Sequence, residues 1–191
     1  MRYFPSLLLI ILLLIYSCNG KRSGNYNSVK KENKSNGKVI GIIDGDTYDI
    51  LLEGNKTERV RMDAIDAPEK GMPFYKVAKN YLSELCFQKE VRLVYVGTDQ
   101  HGRSINRSFL IDGTDLSKEM IRVGLAWHYK EYSQDKELAE LEIQARNKKI
   151  GLWSDKKPLE PWVCRKLRRQ GNHIEFLTDT ILVQPTNKSN F

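Results

Sequence analysis

The pattern of apolar and polar positions predicts a folded region that begins near Gly37. Within residues 74–86, Val77, Tyr81 and Leu85 recur every four positions, which is typical of an amphipathic helix. Two further helices are predicted at residues 115–123 and 136–147. Five short runs rich in aliphatic and β-branched residues, bounded by Gly, Asp or Asn, predict strands. These runs cover residues 38–43, 47–52, 57–65, 91–96 and 104–111.

The order β-β-β-α-β-β, followed by helices, predicts a mainly β fold with some α. The arrangement that fits it is a five-stranded Greek-key barrel of the OB type with about three packed helices. We place this domain at residues 37–154 and treat residues 155–191 as a basic C-terminal extension. A strand-like patch at residues 174–183 has no partner that the pattern identifies.

The first 17 residues predict an export signal. Arg2 precedes nine continuous apolar residues at 7–15, which is too short for a membrane-spanning helix of about 20 residues but fits a signal peptide. The Ser17-Cys18 end of this segment resembles the bacterial lipoprotein signal, in which the Cys is acylated after cleavage. We therefore expect lipidation at Cys18 and a cell-envelope lipoprotein held to a membrane by its acyl chains. An ordinary signal peptide cleaved nearby is the alternative, and it also predicts export.

Residues 18–36 contain too few apolar side chains to form a core, which predicts a disordered basic linker after the lipidated Cys. The chain carries 31 Lys and Arg against 24 Asp and Glu, and the excess lies at the two ends. Basic arms favour polyanions, although lysines that keep a linker soluble would give the same composition. Cys86 and Cys164 remain beside Cys18, and either a disulfide between them or two buried thiols fits the sequence.

Three segments gather charge at the ends of predicted strands. Asp46 and Asp66 offer hard oxygen ligands of the kind that Ca²⁺ prefers. Arg61 and Arg103 offer planar donors for phosphate oxygens, and Glu69 could accept a proton from water. The alternatives are an ordinary Asp-Gly-Asp turn and surface ion pairs. The odd spacing of Arg61 and Asp66 also places them on opposite faces of a continuous strand, unless the strand bulges or ends between them.

Taken together, the segments resemble the staphylococcal nuclease family over roughly residues 38–153. The motifs that carry the resemblance are Asp44-Gly-Asp46-Thr, Arg61-x₄-Asp66-x-Pro-Glu69, Asp99-x-x-Gly-Arg103, Gly124-Leu-Ala126 and Gly151-Leu-Trp153. The resemblance implies an OB-type barrel with one Ca²⁺ ion bound by Asp46, Asp66 and the backbone carbonyl of Ala67. It also implies that Asp44 orders water near the metal. Finally, it assigns Glu69 as general base and Arg61 and Arg103 as phosphate-binding residues.

Several positions depart from the family pattern. Gln100-His101 replaces the usual Lys-Tyr, so His101 is a candidate phosphate contact, with a plain loop histidine as the alternative. Tyr129 and Tyr132 fall near the family's base-contacting tyrosines, and packing on the outer wall of the barrel is their alternative role. The stretch Pro161-Trp162-x-x-Arg165 resembles the ending of many bacterial members and is interpreted as packing.

The leading hypothesis is a Ca²⁺-dependent, sequence-nonspecific nuclease that hydrolyses phosphodiester bonds of DNA or RNA. It would act as a monomer with nucleic acid as its partner. The alternative is a non-catalytic OB-fold lipoprotein that binds single strands without cutting them.

Overall fold

The computed structural model describes residues 34–176 and 181–185. The predicted signal segment, Cys18 and the linker up to residue 33 lie outside the described residues. The strands are β1 (Lys34–Ile42), β2 (Thr47–Leu52), β3 (Thr57–Met62), β4 (Ile65–Asp66), β5 (Glu90–Thr98), β6 (Ser104–Leu110), β7 (Trp127–His128), β8 (Asn172–Phe176) and β9 (Ile181–Pro185). The helices are α1 (Tyr75–Cys86), α2 (Leu116–Arg122), α3 (Lys136–Lys148) and α4 (Pro161–Arg169).

Five strands form a closed barrel in the order β1-β2-β3-β6-β5. The first strand is shared, since its first half pairs with β5 and its second half with β2. Parallel pairing of β3 with β6, from Val60 opposite Ser104 to Met62 opposite Asn106, closes the ring. The predicted OB-like barrel of mixed β and α structure is confirmed.

The barrel begins earlier than the boundary predicted at Gly37. Residues 34–36 were expected in the linker, but they pair with β5 from Lys34 opposite Val94 onward. This pairing uses backbone groups, which any residue supplies, so a polar composition did not reveal it. Gly37 itself lies where a Cβ would stand 2.6 Å from the carbonyl oxygen of Leu51.

The predicted third strand, residues 57–65, is two strands. β3 ends at Met62, a turn with Ala64 at φ +67° follows, and β4 pairs Asp66 with Trp127 of β7. The break removes the strict alternation that would have set Arg61 and Asp66 on opposite faces. Their odd spacing is therefore compatible with a shared site.

The helices pack beside the closed barrel, and α4 lies beyond the predicted domain. α2 and α3 begin after Asp115 and Asp135, whose carboxylates accept backbone N–H groups of the first turn. In α1 the buried face is Ala78, Leu82 and Cys86, whereas Val77, which the apolar spacing placed on that face, is 52% exposed. The predicted face (Val77, Tyr81 and Leu85) and the buried face (Ala78, Leu82 and Cys86) are adjacent on the helix, so periodicity alone did not distinguish them.

Residues 155–176 and 181–185 add ordered elements that the pattern did not resolve. α4 is a fourth helix, and β8 and β9 form an antiparallel hairpin with Ile174 opposite Val183. This hairpin supplies the partner that the strand-like patch lacked.

Cys86 and Cys164 are both buried and both free thiols. In the part of the chain that the structure describes, no helix combines the length and apolar character that crossing a membrane requires.

Candidate active site

The turn between β1 and β2 carries Asp44 and Asp46. The backbone N–H of Asp46 donates to Oδ1 of Asp44 at 3.1 Å, which holds the turn in shape. Gly45 lies between them with no room for a side chain, because a Cβ there would stand 2.8 Å from the Cβ atoms of Ala67 and Ala78. This close approach presses the turn against the segment that follows β4.

Arg61 joins the two predicted metal ligands. Its Nη1 atom lies 3.2 Å from Oδ1 of Asp46, and its Nη2 atom donates to Oδ1 of Asp66 at 3.0 Å. The same guanidinium donates to the carbonyl oxygens of Met62 and Ile65, which fixes it across the break between β3 and β4. The structure therefore brings Asp46 and Asp66 to one charged group.

Burial and mutual repulsion dominate the electrostatics of these acids. Asp46 and Asp66 are 5% and 1% exposed. Burial, assisted by the charge of Asp46, raises the pKa of Asp44 to about 7. Burial also raises the pKa of Asp66 to about 6, with Asp46 adding to the rise and hydrogen bonds from Arg165 opposing it. Burial therefore disfavours the charged form of Asp44 and Asp66, and a cation bound beside them would favour it.

The remaining acceptor positions fit a divalent cation. A carboxylate has about four acceptor positions. Oδ1 of Asp46 accepts a hydrogen bond from the hydroxyl of Thr47 and contacts the guanidinium of Arg61. Oδ2 accepts a hydrogen bond from the backbone N–H of Ala67 at 2.6 Å. Oδ1 of Asp66 accepts hydrogen bonds from Arg61 and Arg165, and Oδ2 accepts one from Arg165. Within residues 34–176 and 181–185, Oδ2 of Asp66 therefore keeps one acceptor position, whereas the side chain of Asp46 is also in hydrogen-bond contact with that of Asp44.

The described residues contain no group of three or more His, Cys, Asp or Glu side chains placed to hold a metal ion. The predicted set is smaller, since it has two carboxylates and the carbonyl of Ala67, with water completing the shell. Hard oxygen ligands completed by water suit Ca²⁺. Two buried acids, with Asp44 beside them, are compatible with that ion.

Glu69 lies in the loop between β4 and α1, and its partner is a residue that the sequence interpretation assigned to packing. Arg165 of α4 donates through Nη1 to Oε1 of Glu69 at 2.5 Å. It also holds Asp66 with a two-pronged contact, Nη1 to Oδ1 at 3.1 Å and Nη2 to Oδ2 at 2.7 Å. Burial alone would lower the pKa of Arg165, but the contacts with Asp66 and Glu69 raise it above its usual value, so the group stays charged.

A signal for Arg165 was present in the sequence. In a helix that starts at Pro161, residue 165 lies one turn further along the same face, and Pro161 is buried. The other basic side chains near the end of α4, Lys166, Arg168 and Arg169, are exposed. A basic residue on the buried face of a helix needs an acidic partner, which points inward to the site.

Arg103 stands at the start of β6, beside the strand that carries Arg61. It is held by Asp99, which accepts its Nε–H at 2.7 Å and its backbone N–H at 2.9 Å. Arg103, Arg59 and His101 line one open groove on the outer face of the barrel. The side chain of Arg103 is 32% exposed, so it can reach a ligand in that groove.

The two predicted base-contacting tyrosines differ in environment. Tyr129 is stacked on Trp162 of α4, with ring centroids 4.9 Å apart and planes 4° from parallel, so one of its faces is covered. Tyr132 is 71% exposed and meets the Tyr129 ring edge-on. His101 is exposed, with its backbone N–H bonded to Asp99. Base and phosphate contacts by these three residues stay predictions.

Comparison with known proteins agrees with this geometry. Residues 59–155 match the family model described as "Staphylococcal nuclease homologue". The chain is 36% identical over 172 residues to a Haemophilus influenzae protein named "Uncharacterized endonuclease", covering 90% of this chain and 92% of that protein. It is 34% identical over 147 residues to the "Micrococcal nuclease" of Shigella flexneri, covering 72% of this chain and 84% of that protein. The matched segment, the closed barrel and the clustered acids and arginines together establish that the chain belongs to the staphylococcal nuclease family.

Proposed function

We propose that this protein is a Ca²⁺-dependent nuclease that hydrolyses phosphodiester bonds of DNA or RNA without sequence preference. Membership of a nuclease family gives the reaction class. The observation that carries the finer proposal is the meeting of Asp46, Asp66 and Glu69 with the guanidinium groups of Arg61 and Arg165. A protein that only binds nucleic acid has no use for buried carboxylates that repel phosphate.

Each residue has a role in this proposal. Asp46, Asp66 and the carbonyl of Ala67 would hold Ca²⁺, with Asp44 ordering water beside it. The bound ion would polarise a phosphate oxygen as a Lewis acid. Glu69 takes the proton of the attacking water, and Arg61 and Arg103 donate hydrogen bonds to the phosphate oxygens as they gain charge.

The test is digestion of single- and double-stranded DNA and RNA by the full chain in detergent, with Ca²⁺ or with a chelator. We expect degradation in Ca²⁺ alone, and a loss of about 10²–10⁴-fold in turnover for Glu69→Gln, the range typical of a general base. Glu84→Gln is the matched control, because Glu84 is an exposed acid on α1. Near-normal turnover of Glu69→Gln would remove Glu69 from the mechanism. Binding without cleavage in Ca²⁺ would support the alternative of a single-strand binding protein.

We also propose that the protein is exported and anchored through acyl chains on Cys18. The proposal rests on the apolar run at 7–15 followed by Ser17-Cys18. Labelling of growing cells with a radioactive fatty acid tests it. The label should enter the wild type and be lost in Cys18→Ser, and equal labelling of both would overturn the lipid anchor.

A further inference from the structure

We propose that Arg165 is a positioning residue of the active site, which fixes the carboxylate of Glu69 against Asp66 and makes α4 part of the catalytic unit. This inference rests on the proposed function, in which Glu69 accepts the proton. Arg165 lies outside residues 59–155, the segment that matches the family model. The contact is therefore an addition to the matched part of the domain.

Glu69 depends on Arg165 for its position. It lies in neither a helix nor a strand, and its side chain is 35% exposed. The backbone N–H of Glu69 contacts the sulfur of Met72 at 3.3 Å, but this contact orients the chain and not the carboxylate. Among the described residues, Arg165 is the hydrogen-bond donor to the carboxylate of Glu69, at 2.5 Å.

Arg165 links Glu69 to Asp66, a residue that is itself held firmly in the fold. Its backbone is paired with Trp127 in the short sheet of β4 and β7, and its side chain is buried. Nη1 of Arg165 is shared between Asp66 and Glu69, while Nη2 binds Asp66 alone. A planar guanidinium can hold two carboxylates in a fixed relation in this way, whereas the single ammonium group of Lys cannot reproduce the fork.

Contacts on either side of Arg165 hold α4 in place. Trp162 stacks on Tyr129 and meets Trp127 edge-on, with ring centroids 5.9 Å apart. Cys164 is fully buried, and Arg168 donates to the carbonyl oxygen of Lys70 in the same loop as Glu69. The helix is thus packed against both the barrel side and the loop side of the site.

The experiment compares kcat and KM of the full chain on single-stranded DNA at saturating Ca²⁺. Misplacement of a reacting group by about 1 Å can cost about 10²-fold in rate, so we expect kcat of Arg165→Ala to fall by about that factor. Arg165→Lys should also lose most of its kcat, because it keeps the charge without the fork. Arg169→Ala is the control, since it removes one charge from an exposed position of the same helix and should retain wild-type kcat.

Two further measurements separate positioning from a loss of structure. If Arg165 acts through Glu69, adding Arg165→Ala to Glu69→Gln should lower kcat by no more than about twofold further, which is the non-additivity of residues acting as one unit. Calorimetric titration with Ca²⁺ in the absence of nucleic acid should give Arg165→Ala a Kd no weaker than that of the wild type. The removed guanidinium occupies acceptor positions of Asp66 and repels a cation, so its loss does not weaken the ion's site.

The outcomes distinguish this inference from the proposed function. A wild type that cuts nothing in Ca²⁺ overturns the proposed function. An active wild type with an inactive Glu69→Gln and a fully active Arg165→Lys overturns the positioning role alone. If circular dichroism shows Arg165→Ala to be unfolded, Arg165→Lys and its double variant with Glu69→Gln decide the question. Independent, multiplicative losses in that double variant also overturn the role.

Discussion

Gly124 and Gly151 lie in backbone contact. A Cβ placed on Gly151 would stand 2.2 Å from the carbonyl oxygen of Gly124, and that oxygen accepts the N–H of Leu152 at 2.8 Å. Both glycines have positive φ, +70° and +57°. The two short motifs that begin with these residues therefore form one packing unit, which joins the end of α2 to the turn after α3.

We expect Gly151→Ala to destabilise the fold by more than about 2 kcal/mol, because it adds a steric overlap to the cost of positive φ. Gly113→Ala is the matched control. It has φ +94° but nothing within 4 Å of the added methyl group, so it should cost about 1 kcal/mol from backbone strain. Urea unfolding measures both. Equal losses would mean that the Gly124 contact relaxes freely.

The stability of the Ca²⁺-free protein should depend on pH through Asp44. Its folded pKa of about 7 lies above the ordinary 3.8, so the folded state binds a proton more tightly than the unfolded state does. The contribution of Asp44 is therefore lost as pH rises from about 4 to about 7. Compared with Asp44→Asn, the wild type should lose free energy of unfolding across that range and run parallel above it. Parallel curves throughout would show that Asp44 titrates normally.

Calcium should raise the Tm of the protein, since a ligand that binds only the folded state stabilises it. We expect the rise to grow with Ca²⁺ concentration and to disappear in Asp46→Asn, which removes one of the two carboxylate ligands. Asp112→Asn is the control, because Asp112 is an exposed acid in a turn beyond β6. Differential scanning fluorimetry measures all three proteins. The same rise in Asp46→Asn would place the ion elsewhere.

Substitution of Tyr132 should mainly affect nucleic-acid binding, whereas substitution of Tyr129 should mainly affect stability. Tyr132→Ala should lower the free energy of unfolding by no more than about 1 kcal/mol, for its edge-on contact with Tyr129. It should weaken single-stranded DNA binding by about 1–3 kcal/mol, the value of one base stacked on an aromatic ring. Tyr129→Ala should lower the stability, since it removes the ring on which Trp162 of α4 stacks. Fluorescence anisotropy in chelator and urea unfolding report the two effects. Unchanged affinity in Tyr132→Ala would leave that ring without a base contact.

Much of the barrel and the positions of its charged segments could be predicted, because the patterns that indicate them lie within short stretches of sequence. Alternation and turn residues mark the strands, and Asp46, Asp66, Glu69 and Arg103 stand in short motifs at strand ends. The break after Met62 could not be seen, because residues 63–65 carry no Gly or Pro to interrupt the apolar pattern.

Long-range contacts account for the rest. Ala78, and not Val77, is buried where the turn at Gly45 approaches α1 from another part of the chain. The position of Arg165 on the same face as Pro161 indicates that it needs an acidic partner, but that partner is far away in sequence and no local pattern identifies it. The roles of such residues can be recognised only from the folded structure, in which the helix is packed against its partners.

The contact between Arg165 and Asp66 joins residues 99 positions apart. A chain that is synthesised from its N-terminus exposes every acid of the pocket well before α4 leaves the ribosome. If α4 positions Glu69, the arrangement of the site is complete only after residue 165 has been synthesised and the helix has docked. On that proposal, a break in the polypeptide between the barrel and α4 would lower kcat by about 10²-fold while leaving the barrel strands themselves uncut.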